Sequence, residues 1–488
     1  MPIQDDFRGV IAHPDQLFIG GRWVAPTSDE VIDVVSPATE ENFFRLAAAG
    51  PADIDAAITA ARTAFDQGPW PRLSLGERAG FLRALSKELT ARAEILSGVW
   101  AGEMGALFSI NTQLMPMLTG IYADHADMGD SFPFVEPHAP AGGGSGLLVR
   151  EPVGVVAAIV PWNGPLMLAN WKCAPALLAG CTVILKASPE AAGTLYLLAE
   201  AAEAIGLPEG VLNVLVADRE NSELLVRDVR VDKVSFTGST AAGRRIGGIC
   251  GDRIARCTLE LGGKSPAILL DDYDPDTFAV TVAEAALIMA GQACSALTRI
   301  IVPRTKHARV AEAIKARFDT VRIGDPFDPA TELGPLAMAR QREKVEYYIA
   351  EGQSEGAQLV AGGKRPSDLE RGYYIEPTLF TNVESHMRIA QEEIFGPVLS
   401  MMIADDEEHA MEIANRSDYG LNASVFTNDR DRAIAAARRL RSGTVAHNAF
   451  RNDFTIAFGG FKQSGIGREG GIEGLRHYTE TKTILLES

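Results

Sequence analysis

Between residues 153 and 249 the chain alternates short apolar runs with helix-like stretches, and this rhythm narrows the available folds more than any other feature. Residues 153–160 form a continuous apolar run, 165–180 carry a helical pattern, and 182–185 are rich in β-formers. A helical pattern follows at 191–205, strand-like runs at 211–216 and 234–236, and a further helix at 240–249. Near-continuous apolar strands separated by helices predict a parallel sheet covered on both faces. Such sheets place ligands at the carboxyl ends of their strands, although the architecture by itself hosts many functions. No Gly-x-Gly-x-x-Gly follows the first strand, so the ordinary dinucleotide fingerprint is absent. No internal repeat is evident.

The flanking segments extend this pattern. Residues 17–24 (Leu-Phe-Ile-Gly-Gly-Arg-Trp-Val) read as a hairpin around the Gly-Gly pair. Residues 51–105 read as helical, with Leu82, Leu85, Leu89 and Leu96 near helical spacing and Pro51 and Pro71 at plausible helix starts. From Tyr122 to Arg150 prolines and the run Gly142-Gly-Gly-Ser-Gly146 intervene, consistent with either a flexible link or a projecting hairpin. Beyond Glu260 a second alternating region is expected to run to about Gly443. Its strands fall at 267–270, 298–302 and 398–403, and its helices at 308–318, 339–351 and 407–416. Residues 479–485 read as a terminal strand in need of a partner, with another subunit as one candidate.

Length and charge bound the function. At 488 residues the chain exceeds one core and implies two or three domains. A formal net charge of −18 argues against a nucleic-acid backbone or an anionic membrane as the main partner. No apolar run reaches membrane-spanning length, and the N-terminus lacks the pattern of a secretory signal. The five cysteines form no Cys-x-x-Cys pair and the eight histidines do not cluster, so no metal site is expected and a reducing, cytoplasmic compartment is.

Four short stretches carry chemistry. In Gly291-Gln-Ala-Cys-Ser-Ala-Leu-Thr-Arg299, Cys294 sits in a turn after a helix-like run at 280–290. A lone thiol is as well read as a small buried hydrophobe, because its ordinary pKa of about 8.5 leaves little thiolate at neutral pH. Pro161-Trp-Asn-Gly-Pro165 follows the first long strand, and Asn163 reads there as a ligand donor or a turn residue. Leu259-Glu-Leu-Gly-Gly-Lys264 places the Glu260 carboxylate before a Gly-Gly turn. Phe236-Thr-Gly-Ser-Thr240 is a strand, a tight turn and a helix start. Its N–H groups and the Ser239 hydroxyl suit a phosphate or a simple helix cap.

Together these motifs resemble the NAD(P)-dependent aldehyde dehydrogenase superfamily. The likeness spans nearly the whole chain and continues through Glu392-Glu-Ile-Phe-Gly-Pro-Val398, Tyr419-Gly-Leu-Asn422 and Phe458-Gly-Gly-Phe-Lys-Gln-Ser-Gly-Ile-Gly-Arg-Glu469. It implies an α/β fold with a Rossmann-type cofactor domain (1–127 and 148–261), a catalytic domain (262–445) and an oligomerisation arm with the C-terminal segment (128–147 and 446–488). The resemblance implies that Cys294 is the nucleophile, that Asn163 with the Cys294 N–H forms an oxyanion hole, and that Glu260 is the general base. Lys172 matches a family lysine near the active site. On the cofactor side Lys186 matches the lysine at the adenosine ribose, Trp162 and Ser239 match residues near the pyrophosphate, and Phe236, Gly238 and Leu261 are expected among the cofactor-binding residues. Glu393 and Phe395 match the residues that steady the nicotinamide ribose and ring.

Two departures bear on specificity. Many NAD-specific members carry a glutamate three residues after the lysine; here the run is Lys186-Ala-Ser-Pro-Glu190, with Ser188 before the proline and Glu190 one position late. NAD is the expected cofactor and NADP the alternative. Gly164 stands where many members have an aromatic residue, so a widened tunnel lined by Leu168, Trp171, Phe450, Phe454 and Phe458 is expected to favour a bulky, long-chain or aromatic aldehyde. The family implies a homodimer or homotetramer. A CoA-acylating semialdehyde dehydrogenase and a non-catalytic cofactor-binding protein are the alternatives, against which the joint presence of Cys294, Asn163 and Glu260 speaks.

Overall fold

The computed structural model describes residues 3–487. Its first sheet has eight strands. From edge to edge they are Gly465–Ile466, Arg256–Glu260, Lys233–Thr237, Val155–Ile159, Thr182–Ala187, Leu212–Val216, Leu17–Ile19 and Arg22–Val24. The strands from Arg256–Glu260 across to Leu212–Val216 are parallel, as their two-sided apolar character predicts. The parallel set starts at Val155–Ile159, moves outward through two strands, then returns to add Lys233–Thr237 on the opposite flank. That reversal opens a crevice beside the first strand, where α/β sheets bind ligands.

The second sheet has seven strands in the order Gln358–Ala361, Thr378–Thr381, Val398–Ala404, Leu297–Pro303, Ser265–Leu269, Asn422–Phe426 and Thr444–His447. Each large sheet is packed against helices around its own apolar core. The helix Pro165–Ala179 shows how local chemistry sets the boundaries. Pro165 opens it at the first helical position, Gly180 closes it at φ 98°, and nearly every side chain between them is buried.

Several expectations are corrected. The helix expected to run to residue 290 is Pro275–Leu287 and breaks at Ile288. Helix Phe108–Met128 runs through Tyr122, where a change of character was expected. Of the two readings of the glycine run, the hairpin holds: Val135–His138 pairs antiparallel with Ser145–Pro152. The terminal strand, Thr479–Leu486, needs no second subunit to pair. It lies antiparallel to Ser145–Pro152 of its own chain and completes a three-stranded sheet. Among the described residues no helix is long and apolar enough to cross a membrane.

Candidate active site

At the crevice a cavity of about 330 Å³ is bounded by the turns after Val155–Ile159 and Lys233–Thr237 on one side and by residues 288–295 on the other. Cys294, Asn163, Trp162, Gly238, Ser239, Leu261, Glu393 and Phe395 all line it, as do Leu168, Trp171, Phe450, Phe454 and Phe458. The sequence motifs therefore converge although up to about three hundred residues separate them.

Cys294 is presented by strained backbone. Met289, Ala290 and Gly291 follow one another in the left-handed region at φ 50°, 52° and 71°. Such a conformation costs of order 1–3 kcal/mol for each non-glycine residue and persists only where the surroundings impose it. Here a Cβ on Gly291 would lie 2.3 Å from Gly396 C, so the two backbones are pressed together. Gln292 adds two ties, donating from Nε2 to Met289 O (3.0 Å) and accepting at Oε1 from Ala337 N (2.9 Å). Asn163 is fixed in turn: its Nδ2 donates to Gln292 O at 3.0 Å, and its own carbonyl accepts from Trp100 Nε1 at 3.2 Å. Burial pushes the Cys294 thiol up to about 12, and the Glu393 and Glu260 carboxylates add to the shift.

Glu260 does not line the cavity. It lies behind it, fully buried, with no hydrogen-bond partner for either carboxylate oxygen among the described residues. Its Oε1 rests against Gly459, where an added Cβ would sit 2.7 Å away. Burial, and then the Glu469 carboxylate, push it well above the usual carboxylate range, while Lys172 and Arg468 oppose this. Lys172 is equally buried. Its Nζ donates to Thr237 Oγ1 at 2.7 Å and forms an ion pair with Glu469 Oε1. Glu469 Oε1 also accepts from Ser235 Oγ at 3.2 Å, and Ser235 Oγ meets Tyr478 Oη at 3.1 Å. In the sequence Glu469 is only the end of a motif; its burial beside Lys172 depends on the C-terminal segment folding back, which periodicity does not reveal.

The other wall suits a nucleotide. Ser239 caps helix Thr240–Asp252 by accepting Ala242 N, leaving the helix N-terminus facing the crevice. Gly243 leaves room for Leu261, whose side chain a Cβ there would meet at 2.4 Å. Glu393 accepts the Gly263 N–H at 2.9 Å. Phe395 adopts φ 63°, is held by Gln341 Nε2 on its carbonyl (2.6 Å), and meets Trp162 edge to face at 5.4 Å. Phe236 lies beneath Gly238 in the core, away from the cavity. Lys186, Ser188 and Glu190 also stand outside it, at the end of the adjoining strand. Burial lowers the Lys186 amine to about 8, against the nearby carboxylates of Glu190 and Asp218.

The remaining wall is aromatic. Trp171 stacks on Phe454 at 3.5 Å between centroids, and Phe454 leans on Phe458 at 4.7 Å. Gly164 is not at the surface of the cavity. The space a side chain there would claim borders Met167, whose Cε is 3.1 Å from an ideal Cβ, and Met167 itself lines the cavity. Met167, Ile288, Ser295, Gln341, Lys344 and Asn452 are lining residues that sequence reasoning missed, because they belong to no compact motif.

Residues 23–484 match the model of the aldehyde dehydrogenase family. The geranial dehydrogenase of Castellaniella defragrans is 40% identical over 471 residues, covering 96% of this chain and 98% of that protein. Among solved structures, an aldehyde dehydrogenase of Mycobacterium tuberculosis complexed with NAD+ superposes with a TM-score of 0.93 at 43% identity, covering 97% and 98% of the two chains. A mutant aldehyde dehydrogenase C of Pseudomonas syringae, complexed with NAD+ and octanal, superposes with a TM-score of 0.92 at 38% identity, covering 97% of each chain.

Proposed function

The chain belongs to the aldehyde dehydrogenase family, and we propose that it oxidises a bulky, long-chain or aromatic aldehyde to the carboxylic acid with NAD+, through a thioester on Cys294. The observation that carries this reading is the meeting of Cys294 and Asn163 with an aromatic wall and a nucleotide-suited wall in one cavity.

The residues present fit a dinucleotide. The helix cap at Ser239, the Gly238 turn and the buried Lys186 amine suit its phosphates and adenosine ribose, and Glu393 and Phe395 suit its nicotinamide half. NAD+, when bound, supplies the hydride acceptor. The relatives whose structures hold NAD+ support it over NADP.

The Cys294 S–H bond breaks with its proton passing to water in the crevice, the sulfur bonds to the aldehyde carbon, and the carbonyl π electrons move onto its oxygen. The oxyanion that forms is taken by the Cys294 backbone N–H and by the Asn163 amide, one of whose two N–H groups is already anchored on Gln292. Removing one such donor costs on the order of 10²–10³ in rate in other enzymes. After oxidation a thioester remains on Cys294. Glu260 turns from its buried position toward the cavity and takes a proton from water; the hydroxide bonds to the thioester carbon, the carbon–sulfur bond breaks, and the acid leaves with Cys294 freed as thiolate. A carboxylate whose pKa burial has raised is suited to this task near neutral pH.

The aromatic wall accounts for the substrate class, and the geranial dehydrogenase and the octanal complex among the relatives support it. The two edges of the three-stranded sheet, with Val135 exposed on one and Leu485 and Leu486 on the other, support assembly into dimers or tetramers. The test is formation of NADH against NADPH with long-chain, aromatic and two-carbon aldehydes, wild type beside Cys294→Ala. NADH formation with the larger aldehydes that vanishes in the variant is expected. A preference for acetaldehyde would overturn the substrate class, and turnover surviving in the variant would overturn the covalent mechanism.

A further inference from the structure

Outside the cavity, at the end of the strand next to the first, lies an ion pair that the mechanism above does not use. Glu190 stands just beyond strand Thr182–Ala187, the neighbour of the first strand Val155–Ile159. In doubly wound sheets an acidic side chain near this place meets the 2′-hydroxyl of the adenosine ribose. Glu190 Oε2 accepts the Ser188 hydroxyl, and its Oε1 pairs with the guanidinium of Arg340. Arg340 sits at the start of helix Ala339–Ser354, which also sends Gln341 and Lys344 to the cavity. One contact thus joins a loop of the first sheet to a helix packed on the second.

Burial acts to raise the Glu190 carboxyl, but the bonds from Ser188 and Arg340 outweigh it and hold the group below its usual range. Glu190 is therefore an anion at neutral pH. An anionic carboxylate accepts a ribose hydroxyl and repels a phosphate. A guanidinium does the reverse: its planar fork matches phosphate oxygens. Here the two sit within bonding distance, so each limits what the other can do.

We propose that Arg340 is a specificity-determining residue for the dinucleotide: paired with Glu190 it is neutralised and positions the carboxylate for a 2′-hydroxyl, and released from Glu190 it becomes the ligand of a 2′-phosphate. This rests on the reading that the crevice holds a nicotinamide dinucleotide. Arg340 is largely exposed, so the pair contributes little to stability, and its loss leaves the fold intact.

ADP-ribose and 2′-phospho-ADP-ribose lack the nicotinamide and cannot turn over, so titration calorimetry with both isolates binding from catalysis. The proteins are wild type, Glu190→Gln, Arg340→Ala and the double variant. Wild type binds ADP-ribose in preference to its 2′-phosphate. Glu190→Gln gains about tenfold or more for the 2′-phosphate, the scale of one charge-assisted contact. Adding Arg340→Ala removes that gain, while Arg340→Ala alone changes ADP-ribose affinity by less than about fivefold. A double variant that keeps the gain, or a Glu190→Gln protein that shows none, overturns the proposal. A wild type that binds neither ligand overturns the cofactor reading beneath it.

Discussion

On one side of Cys294, Trp171, Phe454 and Phe458 stack against each other with little polar to satisfy. Behind the cavity, Glu260, Lys172 and Glu469 are fully buried, deeper than the half-buried Phe454, and carry ionisable groups. The aromatic wall gains from every contact and loses in proportion to what is removed. The polar cluster is balanced: Lys172 offsets Glu469, and Glu260 avoids the cost by favouring its neutral form. Apolar burial is divisible, whereas charged burial holds only while both partners are present.

Removing one partner is the strongest way to break this contrast. Lys172→Met leaves Glu469 as an uncompensated buried carboxylate, a loss of about 3–5 kcal/mol, seen as a lowered denaturation midpoint. Lys172→Met combined with Glu469→Leu recovers much of it; a single variant as stable as wild type would show that the cluster is not balanced by charge. Trimming the aromatic wall has a smaller, more local effect. Trp171→Ala weakens the handling of a long-chain aldehyde by about 1–3 kcal/mol in kcat/KM, while ADP-ribose affinity stays unchanged; equal losses for both ligands would mean that the walls are not separate.

These two regions were not equally legible in the sequence. The wall residues Leu168 and Trp171 lie on a helix whose bounds follow from Pro165 and Gly180, and the parallel strands around it announce themselves by unbroken apolar runs. Strand Asn422–Phe426 is fully buried, yet Asn422, Ala423 and Ser424 give it no β-branched signature. The left-handed turn at Met289 and Ala290 has no local signal at all, since it is imposed by Gly291 against Gly396 from a distant segment. Glu260 was legible as a carboxylate before a turn, but its position behind the cavity depends on Gly459 and Glu469, two hundred residues later.

Acidity sharpens the contrast further. Glu260 is pushed well above the usual carboxylate range, so the proposed mechanism predicts that it is protonated and inactive as a base at low pH and that thioester hydrolysis rises as pH climbs through its raised pKa. Glu469→Gln removes the carboxylate next to burial in raising that pKa, so the profile moves to lower pH; a profile that stays in place would assign the rise to another group. A smaller effect concerns Lys264, buried without a hydrogen-bond partner for its amine among the described residues. Burial, and then Arg299, lower it to about 7, so between pH 7 and its ordinary 10.5 the unfolded chain binds more protons than the folded one. Stability therefore rises with pH across that window and is fully reduced below it. The difference between wild type and Lys264→Met in urea midpoints isolates this contribution, and a difference that does not vary with pH would contradict it.

The most direct test of the two-step account is a rapid-mixing experiment with Glu260→Gln and excess aldehyde and NAD+. The account predicts a burst of NADH of about one equivalent per Cys294, followed by turnover slowed on the order of 10²–10⁴-fold, the usual contribution of a general base. A variant with no burst and a steady rate equal to wild type would contradict the assignment of Glu260 to thioester hydrolysis.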